Sequence, residues 1–271
     1  MEKSGQLQVR TYGASGPVLI VLHGGPAAAG EAAPLARGLA DSFRALEPWQ
    51  RGSDGEPLTV ARHVDDLHEI VTSRCCGTPP AIVGESWGAM LALAYAAGHP
   101  ESAGPLVLIG CGTFDPASRA RMQAILDDRM EGGLRQHIDA LEDEFLDPAA
   151  RLIQRYRLTE SLYSYDSTPS EEDPEVPPFD MAAHTETWNN MLRLQAAGVY
   201  PAAFAAIRSP VIMLHGAYDP HPGQMIRASL APYIPQLEYR EWQRCGHSPW
   251  RERAVREEFF AVLREWLSGH L

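Results

Sequence analysis

Residues 81–88 read Ala-Ile-Val-Gly-Glu-Ser-Trp-Gly. Ala81-Ile82-Val83 is a short apolar run of the kind that forms a strand covered on both faces. Trp87 to about Ala97 is rich in small and apolar residues and is closed by Gly98 and Pro100, which predicts a helix. Ser86 therefore stands at a strand-to-helix turn, between glycines at 84 and 88 where side chains would clash. In that setting G-x-S-x-G is the turn that lifts a hydroxyl clear of a sheet as a nucleophile. A tight turn without chemistry fits the same five residues, so the remainder of the chain has to decide.

Outward from this turn the chain alternates strand and helix. Residues 6–13 and 17–23 look like strands, the second almost continuously apolar, and 42–47 is a third, weaker one. Val60, Val64, Leu67 and Val71 recur at helical spacing with charges between them. The strand at 80–85, the helix from Trp87 and a further buried strand at 105–109 follow. From about Thr113 to Ile207 no buried strand is legible. Leu134, Ile138, Leu141 and Phe145 mark one amphipathic helix; Trp188, Met191, Leu192 and Gln195 mark another. The stretch 165–180, rich in proline and acid, reads as an exposed loop, with Glu171, Glu172, Asp173 and Glu175 serving solubility. The rhythm then returns with strands at 210–214 and 237–242 and a last helix carrying Val255, Phe259, Leu263, Trp266 and Leu267. The pattern predicts an α/β fold: a mainly parallel sheet flanked by helices, built from 1–112 and 207–271, with 113–206 inserted as a helical cap. There is no internal repeat and no GxGxxG.

Composition narrows the function classes. The chain has 271 residues, 45% of them hydrophobic, enough for a sizeable core. Thirty-five acidic against 23 basic residues leave a formal charge of −12, which excludes a basic nucleic-acid surface and attraction to anionic membranes. It leaves room for a site that attracts a cation. The opening residues MEKSGQLQVR hold no apolar core of signal-peptide length, and no later run is long enough for a bilayer. Cys75, Cys76, Cys111 and Cys245 have no metal-type spacing, and adjacent Cys75 and Cys76 make a poor disulfide framework. The expectation is reduced thiols in a cytoplasmic protein.

A serine hydroxyl is a weak nucleophile at neutral pH and needs a base, an acid that orients the base, and donors for the oxyanion. His23-Gly24-Gly25-Pro26 ends the 17–23 strand and can aim the Gly25 amide at the point of attack. The Trp87 amide supplies a second donor at a helix N-terminus, where the dipole also favours negative charge. Read alone, Gly24-Gly25-Pro26 is a strand-ending turn; beside the 84–88 turn it reads as half of an oxyanion hole. Asp219 follows the 210–214 strand and His247 follows the 237–242 strand, both where parallel sheets build their sites. Asp115, after the 105–109 strand, is the rival acid to Asp219. His215 and His221 flank Asp219, but no third ligand with metal-type spacing accompanies them, so no metal is expected. Trp87, Trp188 and Trp250 are candidates for an apolar acyl or leaving-group pocket, with core packing as the default for each.

With Ser86, Asp219 and His247 in that chain order, the sequence resembles the α/β-hydrolase superfamily over almost its whole length. His23-Gly24-Gly25-Pro26, Gln50-Arg51-Gly52 and Ser86-Trp87-Gly88 look like its proline iminopeptidase branch. The resemblance implies a serine hydrolase with a helical cap and without metal or organic cofactor. It implies Ser86, Asp219 and His247 as triad and Gly25 and Trp87 as oxyanion donors. Two departures stand out: the branch carries aspartate where Trp49 stands and glycine where Glu85 stands. A carboxylate beside the nucleophile is familiar in esterases. The branch also uses cap glutamates to grip a free amino group, for which Glu186 is the candidate, a solvated helix face being the alternative. The expected substrate is a small ester, with a short peptide cleaved at its N-terminus as the close alternative. A non-catalytic binder on the same scaffold is the third reading, and it predicts a damaged triad that this chain does not have.

Overall fold

The computed structural model describes residues 7–53, 55–75, 77–169 and 173–271; the expectations for Gln6, Cys76, Glu171 and Glu172 lie outside them. Seven strands form one sheet: β1 (Val9–Tyr12), β2 (Val18–Leu22), β3 (Arg44–Pro48), β4 (Ala81–Glu85), β5 (Leu106–Ile109), β6 (Val211–Gly216) and β7 (Leu237–Trp242). Their order is β1-β3-β2-β4-β5-β6-β7, and every pair is parallel except β1 with β3. β2, β4, β5 and β6 are buried along almost their whole length, which explains their unbroken apolar sequences.

Alternate residues of these strands feed two separate cores. Ile20, Leu22, Ile82, Leu106, Leu108 and Met213 face α2 (Val60–Arg74), α3 (Trp87–Gly98) and α8 (Gly223–Leu230). Leu19, Val21, Val83, Val107, Ile109 and Leu214 face α1 (Ala33–Leu39) and α9 (Arg256–His270). The period of two along each strand assigns the layers, and burial of both faces supplies the main driving force.

Between β5 and β6 the chain makes four helices: α4 (Pro116–Arg129), α5 (Gly132–Glu144), α6 (Pro148–Tyr163) and α7 (Met181–Ala196). The sequence patterns indicate α5 and α7 and miss α4 and α6. Apolar periodicity is faint in both, because α4 buries little and α6 carries many charges. The missed signal is local. Asp115-Pro116 and Asp147-Pro148 are each an N-cap followed by proline at the first helical position. Asp180 caps α7 in the same way, accepting from the Ala183 amide at 3.0 Å. Two short core helices, α1 and α8, are not marked by the sequence patterns either.

Candidate active site

The turn between β4 and α3 holds Ser86 at φ 50° and ψ −112°, a conformation that an L residue keeps only when its surroundings impose it. Its amide donates to the Ile109 carbonyl at 2.8 Å and its carbonyl accepts from the Met90 amide at 3.2 Å. The two glycines make this turn possible. A methyl on Gly84 would sit 2.3 Å from the Gly88 carbonyl oxygen, and one on Gly88 would sit 2.5 Å from that of Leu22. The Trp87 amide stands at the first position of α3, where no earlier helical carbonyl can take it.

Gly25 lies beside this turn at φ 38°, with its carbonyl accepting from the Ala28 amide at 3.2 Å. His23 is fully buried, and burial lowers its pKa. The neutral ring donates from Nδ1 to the Gly24 carbonyl at 2.8 Å and accepts the Gln50 amide at Nε2 at 3.4 Å. The Gln50 side-chain oxygen in turn accepts from Trp87 Nε1 at 2.8 Å. The three segments that carried the family resemblance are thus one hydrogen-bonded unit.

Asp219 and His247, on the loops after β6 and β7, meet through Oδ2 and Nδ1 at 2.7 Å. They reach Ser86 through two short connections. Gly110, which follows the Ile109 partner of Ser86, leaves room for the imidazole: a methyl there would lie 2.8 Å from His247 Nδ1. The Ser248 hydroxyl donates to Glu85 Oε1 at 2.7 Å, tying the residue after His247 to the residue before Ser86. Among the described residues no hydrogen bond joins Ser86 to His247 directly. Asp115 is elsewhere. Both its oxygens are taken by Ser118, at 2.8 Å from the amide and 2.6 Å from the hydroxyl, as the cap of α4.

Burial opposes charging His247, but Asp219 at its Nδ1, with Glu85 and Glu31 further round, outweighs that and raises its pKa to about 9. Asp219 is buried, which by itself would raise it, yet His247, His221 and His215 hold it well below the usual carboxylate range. Burial raises Glu85, against the pull of His247 and Ser248. Glu31 reaches solvent, yet desolvation by the surrounding protein, together with the charge of Glu85, raises it to about 7.

Three residues that the sequence reading did not single out, with His221, which it weighed only as a metal ligand, build the rest. His221 donates from Nδ1 to Asp219 Oδ1 at 2.9 Å and stacks on His247 with ring centroids 4.7 Å apart. The Tyr163 carbonyl accepts the His247 amide at 2.8 Å. Glu252, almost wholly buried, accepts from the amides of Gly246, Tyr165 and Asp166 at 2.8, 2.8 and 2.7 Å. It thereby pins the end of α6 to the loop that carries His247. Ser248 is the fourth. In the sequence His221, Ser248 and Glu252 are marked only by closeness to Asp219 or His247, and Tyr163 carries no signal. Asp219, His221 and His247 also form a group whose ligand atoms lie within 4.8 Å of one another. Sequence spacing, which sets a metal aside, overlooks His247 as the third member. Both ring Nδ1 atoms, however, are spent as donors to the carboxylate, which is a clamp rather than an open set of ligands.

Two pocket candidates move. Trp250 packs into the core between the sheet and α9, 6.2 Å from the Phe259 ring, because its short helical turn follows the His247 loop inward. Glu186 on α7 accepts the Leu58 amide at 2.8 Å, and Asn190 on the same helix accepts the Val60 amide at 2.9 Å. Both side chains tie α7 to the entrance of α2. Trp188 is half-buried against the core layer that α2 and α3 share. Trp87 itself is fully buried, with its indole committed to Gln50. Cys75, Cys111 and Cys245 are buried, and burial pushes the Cys111 and Cys245 thiols far up.

Residues 19–260 match the model of the alpha/beta hydrolase family. A 2-hydroxy-6-oxononadienedioate/2-hydroxy-6-oxononatrienedioate hydrolase of Paraburkholderia phymatum is 27% identical over 69% of this chain and 61% of its own length. A proline iminopeptidase of Neisseria gonorrhoeae is 30% identical over 71% of this chain and 61% of its own length. The match therefore spans about three fifths of each of these relatives. Among solved structures, a thermophilic esterase of Thermogutta terrifontis superposes with a TM-score of 0.62 at 23% identity, over 98% of this chain and 94% of its own. That likeness is one of fold.

Proposed function

The chain belongs to the alpha/beta hydrolase family, and from that premise we propose that it is a serine hydrolase of small carboxylic esters. The observation that carries this reading is the 2.7 Å bond between His247 and Asp219 beside a serine held at positive φ between two glycines. His247, oriented by Asp219, takes the Ser86 proton as the hydroxyl attacks the ester carbonyl. The amides of Gly25 and Trp87 receive the oxyanion, the alcohol leaves, and an acyl-enzyme remains. Water activated by His247 then releases the acid. Residues 113–206 act as the cap that sets the size of the acyl pocket, with Trp188 on its inner side.

The substrate follows from charge. Where Glu31 and Glu85 are ionised they oppose a dianionic substrate such as the one named for the Paraburkholderia relative. A neutral ester meets no such barrier. The second reading, release of an N-terminal residue, is favoured by the iminopeptidase relative and tolerated by the same acidic surroundings. It needs a carboxylate to grip the amine, and Glu186 is committed to the Leu58 amide. A binder without turnover would have no use for a strained serine beside a paired imidazole, and this reading ranks last.

A short-acyl nitrophenyl ester and a prolyl nitroanilide, each assayed with wild type and Ser86→Ala, test the proposal. Ester turnover should fall on the order of 10⁴-fold or more in the variant. Retention of most activity would remove Ser86 as nucleophile, and efficient turnover of the prolyl amide would establish the second reading instead.

A further inference from the structure

Asp219 has two carboxylate oxygens, and both are occupied by imidazole. Oδ2 takes His247 Nδ1 at 2.7 Å; Oδ1 takes His221 Nδ1 at 2.9 Å and the His221 amide at 2.9 Å. The two rings lie nearly parallel, 23° apart, with centroids separated by 4.7 Å. The His221 carbonyl is itself fixed by His215 Nε2 at 2.8 Å. The Tyr163 ring meets His221 and His247 at 6.1 and 5.8 Å and closes the remaining side.

Each contact removes one freedom from the base. A carboxylate held at one oxygen by a second ring cannot rotate about its own bond, so Oδ2 keeps its line to His247 Nδ1. An imidazole stacked on a fixed neighbour is hindered from turning its plane, so the His247 ring keeps the orientation that its bond to Asp219 sets. The backbone contact from the His221 amide is an Asx-type turn that any residue at this position can make. The ring contacts are specific to histidine. From this arrangement we infer that His221 is a positioning residue for the Asp219–His247 pair, acting through Asp219 rather than on substrate. The inference rests on the serine-hydrolase reading above.

The test uses three substitutions that all keep the backbone turn. His221→Phe keeps the stacked ring and loses the donor, His221→Leu loses both, and His221→Asn restores a short donor without the ring. Ester kinetics are measured for each in the wild-type background and in Asp219→Asn. A loss of alignment at the base costs about 100-fold in rate, so kcat of the Phe variant should fall by that order with KM little changed. The Asn variant should recover part of the loss. In the Asp219→Asn background the same substitutions should cost little more, because the residue through which they act is already disabled. Wild-type kcat in the Phe variant, or an equal loss in both backgrounds, overturns the inference. If the Phe side chain prevents folding, the Leu variant is read by the same two criteria. Labelling of wild type by a fluorophosphonate, absent in Ser86→Ala, separates the two levels. An unlabelled wild type overturns the nucleophile reading and this inference with it. Where wild type is labelled, the His221 series alone decides whether the inference stands.

Discussion

In the proposed mechanism His247 must be neutral to accept a proton, yet Asp219, Glu85 and Glu31 raise its pKa from 6.5 to about 9. The sign is clear: below that value the ring carries a proton and cannot act as base. Values of kcat/KM for the ester should therefore rise with pH along a limb centred near 9 rather than near 6.5. Glu85→Gln removes one of the carboxylates that favour the cation, and should move the limb downward. A wild-type midpoint near 6.5 would mean that these carboxylates do not act on His247 as the geometry implies. The same shift enters stability. Its contribution is complete below pH 6.5 and is lost as pH rises through about 9, because the folded state binds the proton more tightly than the unfolded chain.

The candidate residues follow the carboxyl ends of β2, β4, β6 and β7, and the cost of a substitution differs sharply from element to element. Gly88 opens the first turn of α3 against β2, 2.5 Å from the Leu22 carbonyl if it carried a methyl. The obstacle is backbone, which cannot step aside. Gly88→Val should therefore destabilise the fold by about 3 kcal/mol or more, measured by denaturant unfolding. Gly133, in the first turn of α5, has nothing within 4 Å. Gly133→Ala should stabilise by about 0.5–1 kcal/mol, since alanine loses less backbone entropy in a helix. A tolerated valine at 88 would show that α3 does not need its close approach to β2. The legible part of these elements follows the same logic. Apolar strands and the G-x-S-x-G turn announce themselves because sheet burial forces their composition. Helices α4 and α6 announce themselves only at their Asp-Pro starts, because exposed helices owe little of their stability to an apolar stripe.

At the scale of the whole molecule, α7 and the end of α6 are fastened to the elements around the sheet by side chains that accept backbone amides. Glu186 and Asn190 hold the approach to α2, Asp180 accepts the Ser53 amide at 2.7 Å, and Glu252 holds the end of α6. Glu186→Ala should leave the Leu58 amide without its partner and cost about 1–3 kcal/mol. For a chain of this size that lowers Tm by several degrees, at about 2–4 °C per kcal/mol. The ratio of ester to prolyl-amide turnover should not change. Selective loss of prolyl-amide turnover at an unchanged Tm would instead return Glu186 to the amine-binding role that its position on the cap suggested.

The sequence by itself determined the sheet and the family, and it proposed four places for the chemistry: Ser86, the His23–Pro26 turn, Asp219 and His247. These were legible because each is a local pattern, an apolar run ending in residues that a regular strand or helix would not choose. It left Asp219 and Asp115 as rival acids, and offered Trp250 and Glu186 to the pocket. Tertiary structure bears on those questions, since they depend on which groups the fold brings together and which it leaves to their own neighbours. Asp115 is satisfied by Ser118, Trp250 faces the core, and Glu186 faces a backbone amide. His221 shows the same limit from the other side. A histidine two residues after an aspartate has no pattern of its own, and its place against His247 exists only because β6 and β7 are neighbours in the sheet.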